Sequence, residues 1–275
     1  MVGVGIVSWT LGLLGRDGYS AYQLTATQSQ LAPFHTRHVE QFGKDAPVFN
    51  RFILAGVDRV QQSAPDGGGY FIGIKANPPE SPIGYDIQFG SRSVLKAPRT
   101  TSYCSGSSYS AFVEGLNLIL GSKANSVSDA TFELLRMQEP DGGRREDGVK
   151  MWGQWNADGY GNHFALVQYS LMGMQISPAL ARPGDFMNIS WKSGLGHSVV
   201  FLGFTRLADG RPGVRFWSSQ KGTNGLGDLT SPLDSIREVL VVRLVLPDRI
   251  FSLTGDRSVE KKVKGHSLDP LLLGF

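Results

Sequence analysis

The spacing of apolar positions changes along the chain, and with it the expected element type. From Asp45 to Ser63, Phe49, Phe52, Ile53, Val57 and Val60 recur at three- and four-residue intervals. With Asp45 as cap and Pro47 in the first turn, this stretch predicts a helix. Ser63-Ala64-Pro65-Asp66 and three glycines stop it. Tyr70–Ile74 and Tyr85–Phe89 read as strands on either side of a Pro78-Pro79 loop. Ala111-Phe112-Val113 and Leu116 to Leu120 predict a second long helix ending at Gly121, and Ser126 or Ser128 caps a third running to Met137. Phe164, Val167, Leu171 and Met174 restore helical spacing, with Asn162 as cap. Beyond the turn Arg182-Pro183-Gly184-Asp185 the runs shorten to strand length: Phe186–Trp191, His197–Phe204, Val214–Gln220 and Arg237–Leu246. Helices followed by strands with short turns imply an α+β fold, its N-terminal helices packed on an antiparallel β-sheet.

Composition narrows the class. At 275 residues, 41% hydrophobic and 19% charged, the chain can bury a substantial core. Residues 45–248 are expected to form a single domain with an insertion around 123–160. Residues 1–44 read as an N-terminal extension and 249–275 as a C-terminal tail. Val2 to Gly15 is apolar but lacks a basic flank, so it reads as a degenerate export signal, a strand or a lid; it is too short and glycine-rich for a transmembrane segment. A net charge of +3, with no basic cluster interleaved with aromatics, argues against nucleic acid as a partner. One cysteine excludes an intramolecular disulfide and any Cys-paired zinc site. His35 and His38, three apart with no acidic third ligand in view, read as a surface pair, and no metal is expected.

The chemistry concentrates on that cysteine. Cys104 lies in Thr101-Ser102-Tyr103-Cys104-Ser105-Gly106-Ser107-Ser108, at the start of the second long helix. A helix N-terminus favours an anion, so a lowered thiol pKa is expected. A nucleophilic thiol needs a base, and His197, delivered by a tight polar loop at the head of a strand, is the candidate. If that strand turns back at Asp209-Gly210, its start faces the end of the next strand, where Ser218 and Gln220 share a side. Gln220, with the longer reach, is the first choice to orient the imidazole and Ser218 the second; Asn224 reads as a turn residue. The aperiodic stretch with Trp152, Gln154, Trp155, Asn156 and Tyr160 either lines a cleft suited to sugar or peptide, or packs its tryptophans on the domain.

Three ordered motifs, Tyr103-Cys104-Ser105-Gly106, Arg182-Pro183-Gly184-Asp185-Phe186 and Gly196-His197-Ser198-Val199-Val200-Phe201-Leu202-Gly203, resemble the NlpC/P60 and CHAP group of papain-like cysteine hydrolases. The resemblance spans roughly residues 98 to 246. It implies a papain-like fold and a cysteine peptidase or amidase that cleaves amide bonds through a thioester, commonly in cell-wall peptidoglycan. Cys104 would be the nucleophile, His197 the base and later the acid, and the polar residue on the next strand the orienter. No cofactor would be needed, and an extracytoplasmic or secreted location is favoured. The longer Cys-to-His separation departs from compact members of the group. Two alternatives stand beside this reading: a non-catalytic glycan- or peptide-binding module on the same fold, and an acyltransferase using the same dyad.

Overall fold

A computed structural model describes residues 20–77, 80–81, 83–136, 151–152, 161–255 and 263–275. The first half of the chain supplies α1 (Ala26–Ser29), α2 (His38–Phe42), α3 (Val48–Gln62), the hairpin β1 (Ile87–Phe89) and β2 (Arg92–Leu95), α4 (Cys104–Leu120) and α5 (Asp129–Leu135). A short helix α6 (Gly161–His163) runs on into a π turn, Phe164–Tyr169. The second half supplies β3 (Gly173–Ile176), β4 (Phe186–Trp191), β5 (Gly196–Arg206), β6 (Pro212–Gln220), β7 (Gly225–Pro232) and β8 (Ile236–Leu244). These last six form one antiparallel sheet in the order β3-β8-β4-β5-β6-β7. The α+β expectation with an antiparallel sheet therefore holds.

Both faces of the sheet are covered, so its strands carry apolar runs as well as alternation. On one face Phe186, Val200, Leu202, Trp217 and Val242 pack with Ile53, Val57, Phe112 and Leu116 of α3 and α4. On the other, Met187, Val199, Phe201, Val214 and Phe216 form a second core with Ala21 and Leu273 from the two ends of the chain. α4 is buried along nearly its whole length because it lies between α3 and the sheet. The two helices can approach so closely because Gly56 and Gly115 face the contact. A Cβ on Gly56 would collide with the Ala111 carbonyl, and one on Gly115 with Ile53.

Several expectations need correcting. Tyr70–Ile74 forms no strand: Tyr70 makes an isolated bridge to Ser102, and Gly73–Lys75 is a 3₁₀ turn. Gly161 begins a helix before Asn162 can cap it, and Met174 already belongs to β3. Within the N-terminal extension, Gln23 pairs with Phe204 and Ala21 is buried. Within the C-terminal tail, His266 bridges Val239, and the Leu273 carbonyl accepts from Gln23 Nε2 at 2.6 Å. No described helix is long and apolar enough to cross a membrane.

Candidate active site

Tyr103, in extended conformation, is the N-cap of α4, so Cys104 is its first residue. The first turn of α4 wedges into the sheet where β5 and β6 part. The ladder between those strands ends at Val200↔Trp217. Beyond it the backbone groups turn to the helix. The Ser198 N–H donates to Cys104 Sγ, and the Ser219 N–H donates to Ser107 Oγ at 3.0 Å. Ser108 and Ser198 hydroxyls meet at 2.8 Å, and Ser102 donates to Ser219 at 2.8 Å. The serine-rich helix start thus replaces ladder hydrogen bonds with side-chain ones, as buried backbone polar groups require.

The wedge leaves Cys104 at the floor of a cleft of about 500 Å³, which His197 and Gln220 also line. His197 lies edge-on to Phe216, centroids 5.5 Å apart, and 6.1 Å from Trp191. Gln220 is fixed through its amide nitrogen, which donates to Thr223 Oγ1 at 2.7 Å and to the Gly227 carbonyl at 2.9 Å. Its Oε1 is left toward His197, close enough to raise the imidazole's proton affinity without a fully aligned hydrogen bond.

Burial sets the charge states. It pushes the Cys104 thiol up to about 11, outweighing the N–H donors of Ser198 and Ser105 and the Tyr103 side chain. It pulls His197 down to about 4, with Gln220 opposing. The expectation of a lowered thiol pKa is therefore overturned: desolvation beside an apolar cleft exceeds the helix-terminus effect. At neutral pH the resting pair is a thiol and a neutral imidazole.

The other candidate residues fall elsewhere. Ser218 does not line the cleft; it is fully buried and donates to the Ser198 carbonyl at 2.7 Å, splinting β5 to β6. Asn224 adopts a left-handed conformation in the turn after β6. Trp152 is no cleft residue, being 1% exposed and stacked on Phe112 with centroids 4.9 Å apart. Gln154, Trp155, Asn156 and Tyr160 lie outside the described residues. The cleft also holds residues that sequence patterning did not single out: Tyr70, Lys75, Trp191, Leu195 and Lys221. They sit in turns and at strand ends, where no periodicity marks them.

The pair His35 and His38 is not at the surface. The rings stack at 4.2 Å, and both bond the Asp228 carboxylate of β7, at 3.0 and 2.9 Å. Three potential metal-ligand atoms thus lie within 4.8 Å of one another. His35 Nδ1, however, accepts from the Arg37 N–H at 3.1 Å, so the proton sits on Nε2 and points at Asp228. Arg215 also pairs with Asp228 at 2.9 Å, and Asp58 accepts from His38 at 2.7 Å. Two cations and two carboxylates balance without a metal ion.

Comparison with known protein families, with curated proteins and with solved structures finds no match for this chain.

Proposed function

We propose that the protein is a papain-like cysteine hydrolase that cleaves amide bonds by acyl transfer, with peptidoglycan peptides as its substrate. The supporting observation is that Cys104, His197 and Gln220 line one cleft, in the order of roles the chemistry needs. The cell-wall assignment rests on the resemblance of the three motifs to NlpC/P60 and CHAP enzymes.

Because the resting pair is neutral, the thiol proton moves to the His197 imidazole as Sγ attacks the carbonyl carbon. The C–S bond forms, and the carbonyl oxygen takes the negative charge. As the first residue of α4, Cys104 has a backbone N–H outside the intrahelical ladder, and that group is suited to hold the oxyanion. The C–N bond then breaks, the imidazolium gives its proton to the leaving amine, and a thioester remains. Water attacks the thioester with His197 as base, which releases the acid and restores the thiol. Gln220 Oε1 accepts from the imidazolium while it exists.

The test is digestion of purified peptidoglycan with mass analysis of the products. Wild-type protein should release fragments cut at one type of amide bond, and Cys104→Ala and His197→Ala should release none. No products, or the same products from Cys104→Ala, would overturn the proposal.

A further inference from the structure

We infer that the cleft selects an amide that bears a carboxylate beside the scissile bond, recognised by Lys75 and Lys221; this deepens the acyl-transfer reading and rests on it. Both lysines are exposed and line the cleft, and among the described residues no Asp or Glu does. Two acids on neighbouring segments are already engaged. Glu80, tied to the Lys75 turn through the Gly73 carbonyl, pairs with Arg99. Asp228, on the strand after Lys221, is held by His35, His38 and Arg215. Neither lysine has an ion-pair partner among the described residues, so the cleft carries two positive charges that no described residue lining it offsets.

The walls strengthen the effect. Trp191 and Leu195, on the β4–β5 hairpin, together with Leu229, border the cleft with apolar surface, and Leu195 is 70% exposed. Low-dielectric walls focus the field of charges at a cleft and raise the local concentration of the opposite charge. A neutral amide gains nothing from this, whereas a carboxylate close to the reacting carbonyl does.

Charged and uncharged alkylating reagents read this field at the nucleophile itself. Iodoacetate and iodoacetamide form the same S–CH₂ bond and expel the same iodide, and differ in the carboxylate. Cys104 is the chain's one cysteine, so mass-detected labelling reports that site alone. At one alkaline pH and low salt, the iodoacetate-to-iodoacetamide rate ratio should exceed that of N-acetylcysteine by roughly two- to tenfold, the range of one or two exposed charge pairs. The excess should vanish in the K75Q/K221Q double variant and at high salt. A ratio at or below the reference, or one unchanged in the double variant, would overturn the carboxylate inference while leaving acyl transfer standing. Failure of both reagents to label the folded protein would instead remove the accessible nucleophile and both proposals with it.

Discussion

Gln220 tests how a buried imidazole is tuned. Its side-chain nitrogen is committed to Thr223 and Gly227, which leaves only the carbonyl oxygen to face His197. That oxygen stabilises the protonated ring, whose affinity for a proton is pulled down to about 4 by burial against Trp191 and Phe216. Gln220→Ala should therefore move the acid limb of the kcat/KM profile to still lower pH, with KM little changed. The loss in rate should be smaller than the roughly 10²- to 10⁴-fold expected for removing His197, the proposed base. Gln220→Glu should move the same limb upward, because a carboxylate favours the imidazolium more than an amide does. A limb that stays put in both variants would assign Gln220 a purely structural role. That these three residues would meet was legible in the sequence: a lone Cys in a Ser-rich helix start, a His at a strand head, and a Gln reached by hairpin counting all line one cleft. The direction of the thiol shift was not, because it depends on how tightly β5, β6 and the cleft wall enclose Sγ.

The device that assembles these residues is α4, held between α3 and the sheet with its first turn between two strands. Glycine in a helix interior normally loses about 1 kcal/mol against alanine. Gly56→Ala should nevertheless destabilise, by roughly 1–3 kcal/mol, because the new Cβ would meet the Ala111 carbonyl of α4. A lower urea midpoint at unchanged slope would show it, and a raised midpoint would mean that the helices do not cross at this glycine. At the other end of the wedge, Ser107→Ala would strand the buried Ser219 N–H, at about 1–3 kcal/mol. Since the same turn aims Sγ at the Ser198 N–H, kcat should fall while KM holds. α3 and α4, with apolar faces and clear stops, could be read from spacing alone. β7 could not: Gly225, Gly227, Asp228 and Pro232 are turn residues by type, and only pairing with β6 along its length makes them a strand. Trp152 misled for a related reason, since an aperiodic mixture of aromatic and glycine residues gives no sign of which side is buried.

Two histidines of opposite shift make the stability of the whole molecule depend on pH from both sides. His38 is fully buried, which opposes its charge, but Asp228 and Asp58 outweigh burial and raise it from 6.5 to about 9. The folded state then binds the proton more tightly than the unfolded chain. The resulting stability is fully present below 6.5 and lost as pH rises through about 9. His197 runs the other way: lowered from 6.5 to about 4, it must stay neutral in the fold, so stability is lost as pH falls from 6.5 toward 4. Asp228, desolvated but held well below the usual carboxylate range by His38, His35 and Arg215, adds its own loss only at stronger acidity. Thermal unfolding should therefore show a maximum near pH 6.5, with an alkaline limb from His38 and an acid limb from His197 together with His163, which burial also lowers. His38→Gln should lower the maximum by ~3 kcal/mol or more, since it leaves the buried Asp228 and the partly exposed Asp58 short of a partner, and should abolish the alkaline limb between 6.5 and 9. His197→Gln should make the limb between 4 and 6.5 shallower and leave the alkaline one intact. An alkaline limb that survives His38→Gln would mean that this cluster is not protonated in the folded protein. None of this was visible in the sequence, because the carboxylate that joins His35 to His38 lies about 190 residues further on. The cluster pins the N-terminal segment to β6 and β7 through Asp228 and Arg215, on the same two strands whose ends carry Gln220 and Lys221 into the cleft. Loosening the cluster at alkaline pH is therefore expected to reduce activity before global unfolding, and activity and near-ultraviolet circular dichroism followed together between pH 7 and 10 would separate the two events.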